Sequence, residues 1–133
     1  MDEQDKSTLV DIYLHKANEA MQDAEASIMQ MRLNNAANRL YYSSFYAVTA
    51  LLVKDGHPVG SHAGAKANLG LFYIKAGTIP VDLGKTFSQM ATMRERADYD
   101  CFFNASLDEL QDILPRVKQL ISKIEELISE ISN

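Results

Sequence analysis

Residues 34 to 54 constrain this fold more than any other stretch: Asn34-Asn35-Ala36-Ala37-Asn38-Arg39-Leu40-Tyr41-Tyr42-Ser43-Ser44-Phe45-Tyr46-Ala47-Val48-Thr49-Ala50-Leu51-Leu52-Val53-Lys54. The run contains no glycine or proline, and Asp55-Gly56 then stops it as a helix end. Apolar and aromatic residues fall almost all round a helix drawn through it. A helix with no polar face has to be covered on more than one side. The rest of the chain must therefore supply helices to surround it, and the polar residues it carries are the ones that need explaining.

The covering helices are legible from their spacing. Between about 4 and 31, Val10, Leu14, Ala17, Met21, Ala24, Ile28 and Met31 recur at alternating intervals of four and three, an amphipathic stripe. Ser61 is placed to N-cap a short helix over 62–75, closed by Gly77. Thr78-Ile79-Pro80 opens a fourth helix with Leu83, Phe87, Met90, Arg94 and Ala97 on one stripe. Ser106-Leu107-Asp108-Glu109 is a capping box for the last helix. Its stripe runs Leu107, Leu110, Leu114, Val117, Ile121, Ile124, Ile128 and Ile131, with Pro115 expected to kink it. No segment reads as a strand. The expectation is one all-α domain over 1–133, an antiparallel bundle of four to five helices joined by short loops.

Composition narrows the function. No apolar run approaches the roughly 18 residues of a membrane span, and the acidic start Met1-Asp2-Glu3-Gln4-Asp5 has no hydrophobic signal region. Cys101 is alone, so no internal disulfide forms and a cytoplasmic location is expected. His15, His57 and His62 are scattered and no H-E-x-x-H pattern exists, so neither a metal nor a cofactor is expected. The net charge of −5 hides an asymmetry: residues 32–96 carry eight Lys/Arg against three acids, and the flanks carry five against fifteen. Either the basic middle offers a surface for an anion, or it pairs with the acidic flanks.

Three groups of residues are candidates for chemistry. Arg94 stands where the stripe of the fourth helix calls for a hydrophobe, so its charge needs a partner, an interface or a cleft. Asp98, four residues on, is the nearest candidate, though Arg before Asp is the weaker orientation at a surface. Arg39 shares a helix face with Tyr42 and Tyr46, which suits stacking and phosphate or base binding as well as a structural pair. Ser61-His62-Ala63-Gly64-Ala65-Lys66 places a helix N-terminus beside His62 and Lys66, an arrangement open to an anion, but without the glycine spacing of a P-loop. His57 and His62 are both available for proton transfer.

Taken in order, "NRLYYSSFYAVTALLVKDG", "SHAGAKANLGLFYIKAG" and "RERADYD" resemble a HEPN domain (higher eukaryotes and prokaryotes nucleotide-binding), over about residues 8 to 128. The resemblance is to the prokaryotic stand-alone subgroup ending in R-x-x-A-D-Y. It implies a bundle of four or five helices, usually a homodimer with the cleft at the dimer interface. It also implies a metal-independent RNase or toxin, often paired with a minimal nucleotidyltransferase antitoxin. The family signature is an arginine followed four to six residues later by a histidine; the arginine corresponds to Arg94. Tyr99, Asp100 and Cys101 stand where that histidine belongs, and no histidine follows Arg94 in the chain. Two readings follow. In one, the chain binds RNA or a nucleotide through Arg94, Arg39, Tyr42 and Lys66, with Asp98, Tyr99 and His62 at the reacting phosphate. In the other, the same residues organise a non-catalytic dimer or a nucleotidyltransferase complex.

Overall fold

The computed structural model describes residues 1–130, and five α-helices form where the periodicity places them. They are α1 (Glu3–Met29), α2 (Leu33–Lys54), α3 (His62–Leu69), α4 (Val81–Tyr99) and α5 (Leu107–Ser129). No strand is present among the described residues. Side-chain caps start three of the helices: Asp2, Ser61 and Ser106 accept from the backbone N–H of Asp5, Gly64 and Glu109 at 2.8, 2.9 and 3.0 Å. Each satisfies one of the orphan donors of a first turn.

Helix α2 is the axis of the bundle and packs against α1, α3, α4 and α5. Every residue from Ala47 to Val53 is buried. Its polar side chains find partners. Ser43 donates to the Ala17 carbonyl of α1 at 2.8 Å, and Ser44 to the Tyr41 carbonyl at 2.7 Å. Asn34 ties the start of α2 to the α4–α5 connection: its amide donates to the Phe103 carbonyl and its oxygen accepts from Ala105 N–H at 2.8 Å. Buried hydroxyls and amides are tolerated because each is paired.

The buried line of α1 is narrower than its stripe. Val10, Ala17, Ala20, Ala24 and Ser27 are buried, whereas Leu14, Met21 and Ile28 are only half-buried. Small residues let α2 approach closely, and the larger side chains are pushed to the flanks of the contact. Met31 lies beyond the helix in the turn to α2, exposed and with φ 58°. In α5, Leu110, Ile113, Val117, Leu120, Ile121, Ile124 and Leu127 form the core face, and the helix runs on past Pro115. Ile131 lies outside the described residues.

The segment expected to be helical to residue 75 changes character at Gly70. Gly70–Ile74 is a single π-helical turn, closed by Lys75 N–H to the Gly70 carbonyl at 2.9 Å. Widening the turn by one residue re-aims the side chains after it. Tyr73 donates to Asp55 Oδ2 at 2.6 Å, and Phe72 stacks on His57 with ring centroids 3.7 Å apart. Burial, and then the Asp55 bond, hold the Tyr73 phenol in its protonated form by pushing its pKa up.

Candidate anion site at Arg94

Helix α4 turns Leu83, Phe87, Met90 and Arg94 to the same buried side. Arg94 is therefore carried into the bundle by its neighbours' hydrophobicity, and only 8% of it is exposed. Its floor is aromatic: the guanidinium carbon lies 5.0 Å from the Tyr41 ring centroid, 5.8 Å from Tyr42 and 5.9 Å from Tyr99. Cation–π attraction stabilises it there. Its carboxylate contact is long, with Nη1 3.6 Å from Asp98 Oδ2. Its Nε is buried with no hydrogen-bond partner. Burial opposes the charge, but Tyr42, Tyr41 and Asp98 outweigh it and lift the Arg94 pKa above that of an ordinary arginine. The result is a permanent cation with donors left uncommitted.

Helix α3 brings His62 to the same place. The Tyr41 hydroxyl and His62 Nδ1 are 2.8 Å apart. The imidazole also lies 4.5 Å from the Phe45 ring, centroid to centroid. Partial desolvation against its aromatic neighbours, and after it the Arg94 charge, lower the pKa of the otherwise exposed His62 from its ordinary 6.5, which favours the neutral ring at pH 7. Burial also pushes the Tyr41 hydroxyl up to about 12, against the pull of the Arg94 charge, so it remains a phenol. Tyr41, His62, Lys66, Arg94, Thr92 and Glu95 are among the residues lining a pocket of about 180 Å³. Sites for drug-sized ligands start at roughly 300 Å³; this one suits a group the size of a phosphate.

The remaining sequence candidates form a polar rim. Asp98 accepts from the Asn38 amide at 3.0 and 3.2 Å, and Asn38 Oδ1 accepts from Arg39 Nη2 and Nε at 2.7 and 2.9 Å. Arg39 also stacks on Tyr42, 5.2 Å from its centroid. Tyr46 turns instead to Lys16 and Tyr13 of α1. Tyr99 is 78% exposed at the end of α4, and His57 is engaged by Phe72 away from this pocket. Arg96 points to the other side of α4, where it covers the Phe103 ring at 4.6 Å. A wider groove on that side, about 480 Å³, is lined by Arg96, Phe103 and Arg116 but offers no buried cation lacking a partner. Tyr41 and Asn38 are members of this cluster that spacing does not single out. A buried tyrosine hydroxyl needs a partner, but nothing local says that the partner is His62.

Pairing with the acidic flanks does not absorb the basic middle. Of its eight Lys/Arg, Arg94 meets Asp98 and Lys54 meets the adjacent Asp55. Arg32, Arg39, Lys66, Lys75, Lys85 and Arg96 have no carboxylate within ion-pair distance among the described residues. No helix is long and apolar enough to cross a membrane among the same residues.

Residues 10–127 match the family model described as HEPN domain. The chain belongs to the HEPN family. A relative in Thermotoga maritima, named UPF0332 protein, is 29% identical over 127 residues, spanning 96% of each chain. Two Methanocaldococcus jannaschii proteins, MJ0142 and MJ0605, carry names that propose a toxin. They are each 26% identical, covering 83% and 73% of this chain and 75% and 72% of their own. The HEPN assignment fits the all-α bundle, and Arg94 is the one buried cation of the site.

Proposed function

We propose that this HEPN chain is a toxin-like module that binds the phosphate of RNA or of a nucleotide at Arg94. The observation that carries the reading is the guanidinium itself. It is buried on tyrosine rings, short of hydrogen-bond acceptors, and opens on a pocket shared with His62 and Lys66. An oxyanion supplies what that environment lacks, because charge-assisted bonds to a desolvated arginine are among the strongest available. Arg39 and Tyr42 extend the surface along α2, suited to a backbone phosphate and a stacked base. The names of the two archaeal relatives support the toxin-like setting. A catalytic form of the reading is metal-independent cleavage by the RNA 2′-OH, with Asp98, Tyr99 and His62 around the reacting phosphate.

A second reading has an observation of its own. Tyr99 at the end of α4, beside Arg94, and Phe102 in the turn that follows are 78% and 91% exposed, as a surface for a second copy or a nucleotidyltransferase partner would be. The two readings separate in one experiment. Wild type and Arg94→Ala are compared for binding to a labelled single-stranded oligoribonucleotide, for its cleavage with and without EDTA, and for sedimentation. Loss of RNA binding in the variant at unchanged sedimentation is the expected result. A wild type inert toward RNA, with the dimer lost in Arg94→Ala, would sink the first reading in favour of the second.

A further inference from the structure

We infer that Tyr41 is a positioning residue: its hydroxyl donates to His62 Nδ1, fixing His62 as the Nε2–H tautomer and making it a hydrogen-bond donor to an oxyanion held by Arg94 and Lys66. The inference rests on the anion-binding reading above and adds the role of His62 within it.

Three observations converge on the direction of the proton. Tyr41 is 1% exposed, and among the described residues its hydroxyl has no hydrogen-bond partner besides His62. His62 Nδ1 lies 2.8 Å from that hydroxyl. Were Nδ1 the donor instead, the buried phenol proton would be left without an acceptor, which native interiors avoid. The third observation is Arg94. Its positive charge beside Tyr41 attracts the phenol oxygen and repels its proton, turning the hydroxyl toward His62. The same charge disfavours an imidazolium, so the ring accepts at Nδ1 and carries its one proton at Nε2. Phe45 and Tyr42 pack against the imidazole and hold its plane. The two ring nitrogens diverge, so with Nδ1 committed to Tyr41, Nε2 is free for the pocket.

The consequence is chemical. A neutral imidazole protonated at Nε2 donates to a phosphate oxygen; it does not accept a proton from a 2′-OH through that nitrogen. His62 therefore clamps the anion and is not the base of a cleavage step. This separates it from the histidine of the family signature, which would follow Arg94 on α4.

Long-range proton–nitrogen correlation spectra of the full chain at pH 7.5 test the assignment without any ligand. His62 is expected to show a protonated Nε2 and an unprotonated Nδ1. In Tyr41→Phe, checked by circular dichroism for an intact fold, the two tautomers should mix. Inorganic phosphate should shift the wild-type His62 Nε2 resonance, and Arg94→Ala should abolish that shift. Tyr41→Phe should weaken phosphate binding roughly five-fold, the loss of one neutral hydrogen bond's orientation. A wild-type Nδ1–H tautomer overturns the inference, as does a pure Nε2–H tautomer that survives Tyr41→Phe. The expected tautomer with no response to phosphate at His62 overturns anion binding and the donor role, while the tautomer assignment stands. The two failures are thus distinct.

Discussion

The guanidinium of Arg94 occupies a position where Leu83, Phe87 and Met90 prescribe a hydrophobe, and its surroundings only half compensate. The tyrosine faces attract the charge, yet Nε is buried and unpaired, a loss of about 1–3 kcal/mol. Replacing a buried charge by an apolar side chain of similar volume is often neutral or stabilising. Arg94→Met should therefore raise stability by about 1 kcal/mol, or roughly 4 °C in Tm, while abolishing phosphate and RNA binding. It should also let the His62 pKa rise toward its ordinary value, since the Arg94 charge helps depress it. Thermal denaturation and a His62 titration check this. A lower Tm would mean that Arg94 is a structural post and not a binding group. The sequence exposes this residue because one charge interrupts an apolar period. It does not expose Tyr41, whose neighbours Leu40 and Tyr42 are equally apolar or aromatic, and whose importance arises only when α3 lays His62 against it.

At the level of elements, α4 is seated by contact with the π-helical turn as well as with α2. A Cβ added at Gly84 would meet Ile74 Cδ1 at 2.8 Å and Cγ1 at 3.1 Å. Glycine inside a helix costs roughly 0.5–1 kcal/mol relative to alanine, so its presence here marks a close approach. Gly84→Ala should destabilise by about 1 kcal/mol in the native background through displacement of Ile74. In an Ile74→Ala background the same change should stabilise, because only the helix propensity remains. A double-mutant cycle by urea denaturation measures the coupling, and additivity would refute the contact. The π turn itself has no visible cue in periodicity: residues 62–75 read as one helix. The turn carries Tyr73 to Asp55 and Phe72 to His57, contacts between residues on either side of the loop and α3 that no period marks.

For the molecule as a whole, the charge asymmetry survives folding. Six of the eight basic residues between 32 and 96 remain without a carboxylate partner among the described residues, so an acidic chain still presents a basic surface. If Arg94, Lys66 and Arg39 each meet one phosphate, log K for single-stranded RNA should fall with log salt at a slope of about −2. Anisotropy titrations over a range of salt concentrations read the slope. A flat dependence would exclude these three as phosphate contacts.

Local pattern alone determined five helices, their caps at Ser61 and Ser106, the central place of α2 and the anomaly of Arg94. Those features follow from hydrophobic period and from side chains bonding the backbone three residues away, both written along the chain. The tertiary structure decided what surrounds Arg94. The Asn38–Asp98 bond joins residues 60 positions apart, and Tyr41–His62 joins residues 21 apart. Neither pairing has a sequence period, because each depends on the angle at which two helices cross and on which face of each is already taken by the core. Helix positions could be read in advance, and the polar contacts between helices could not.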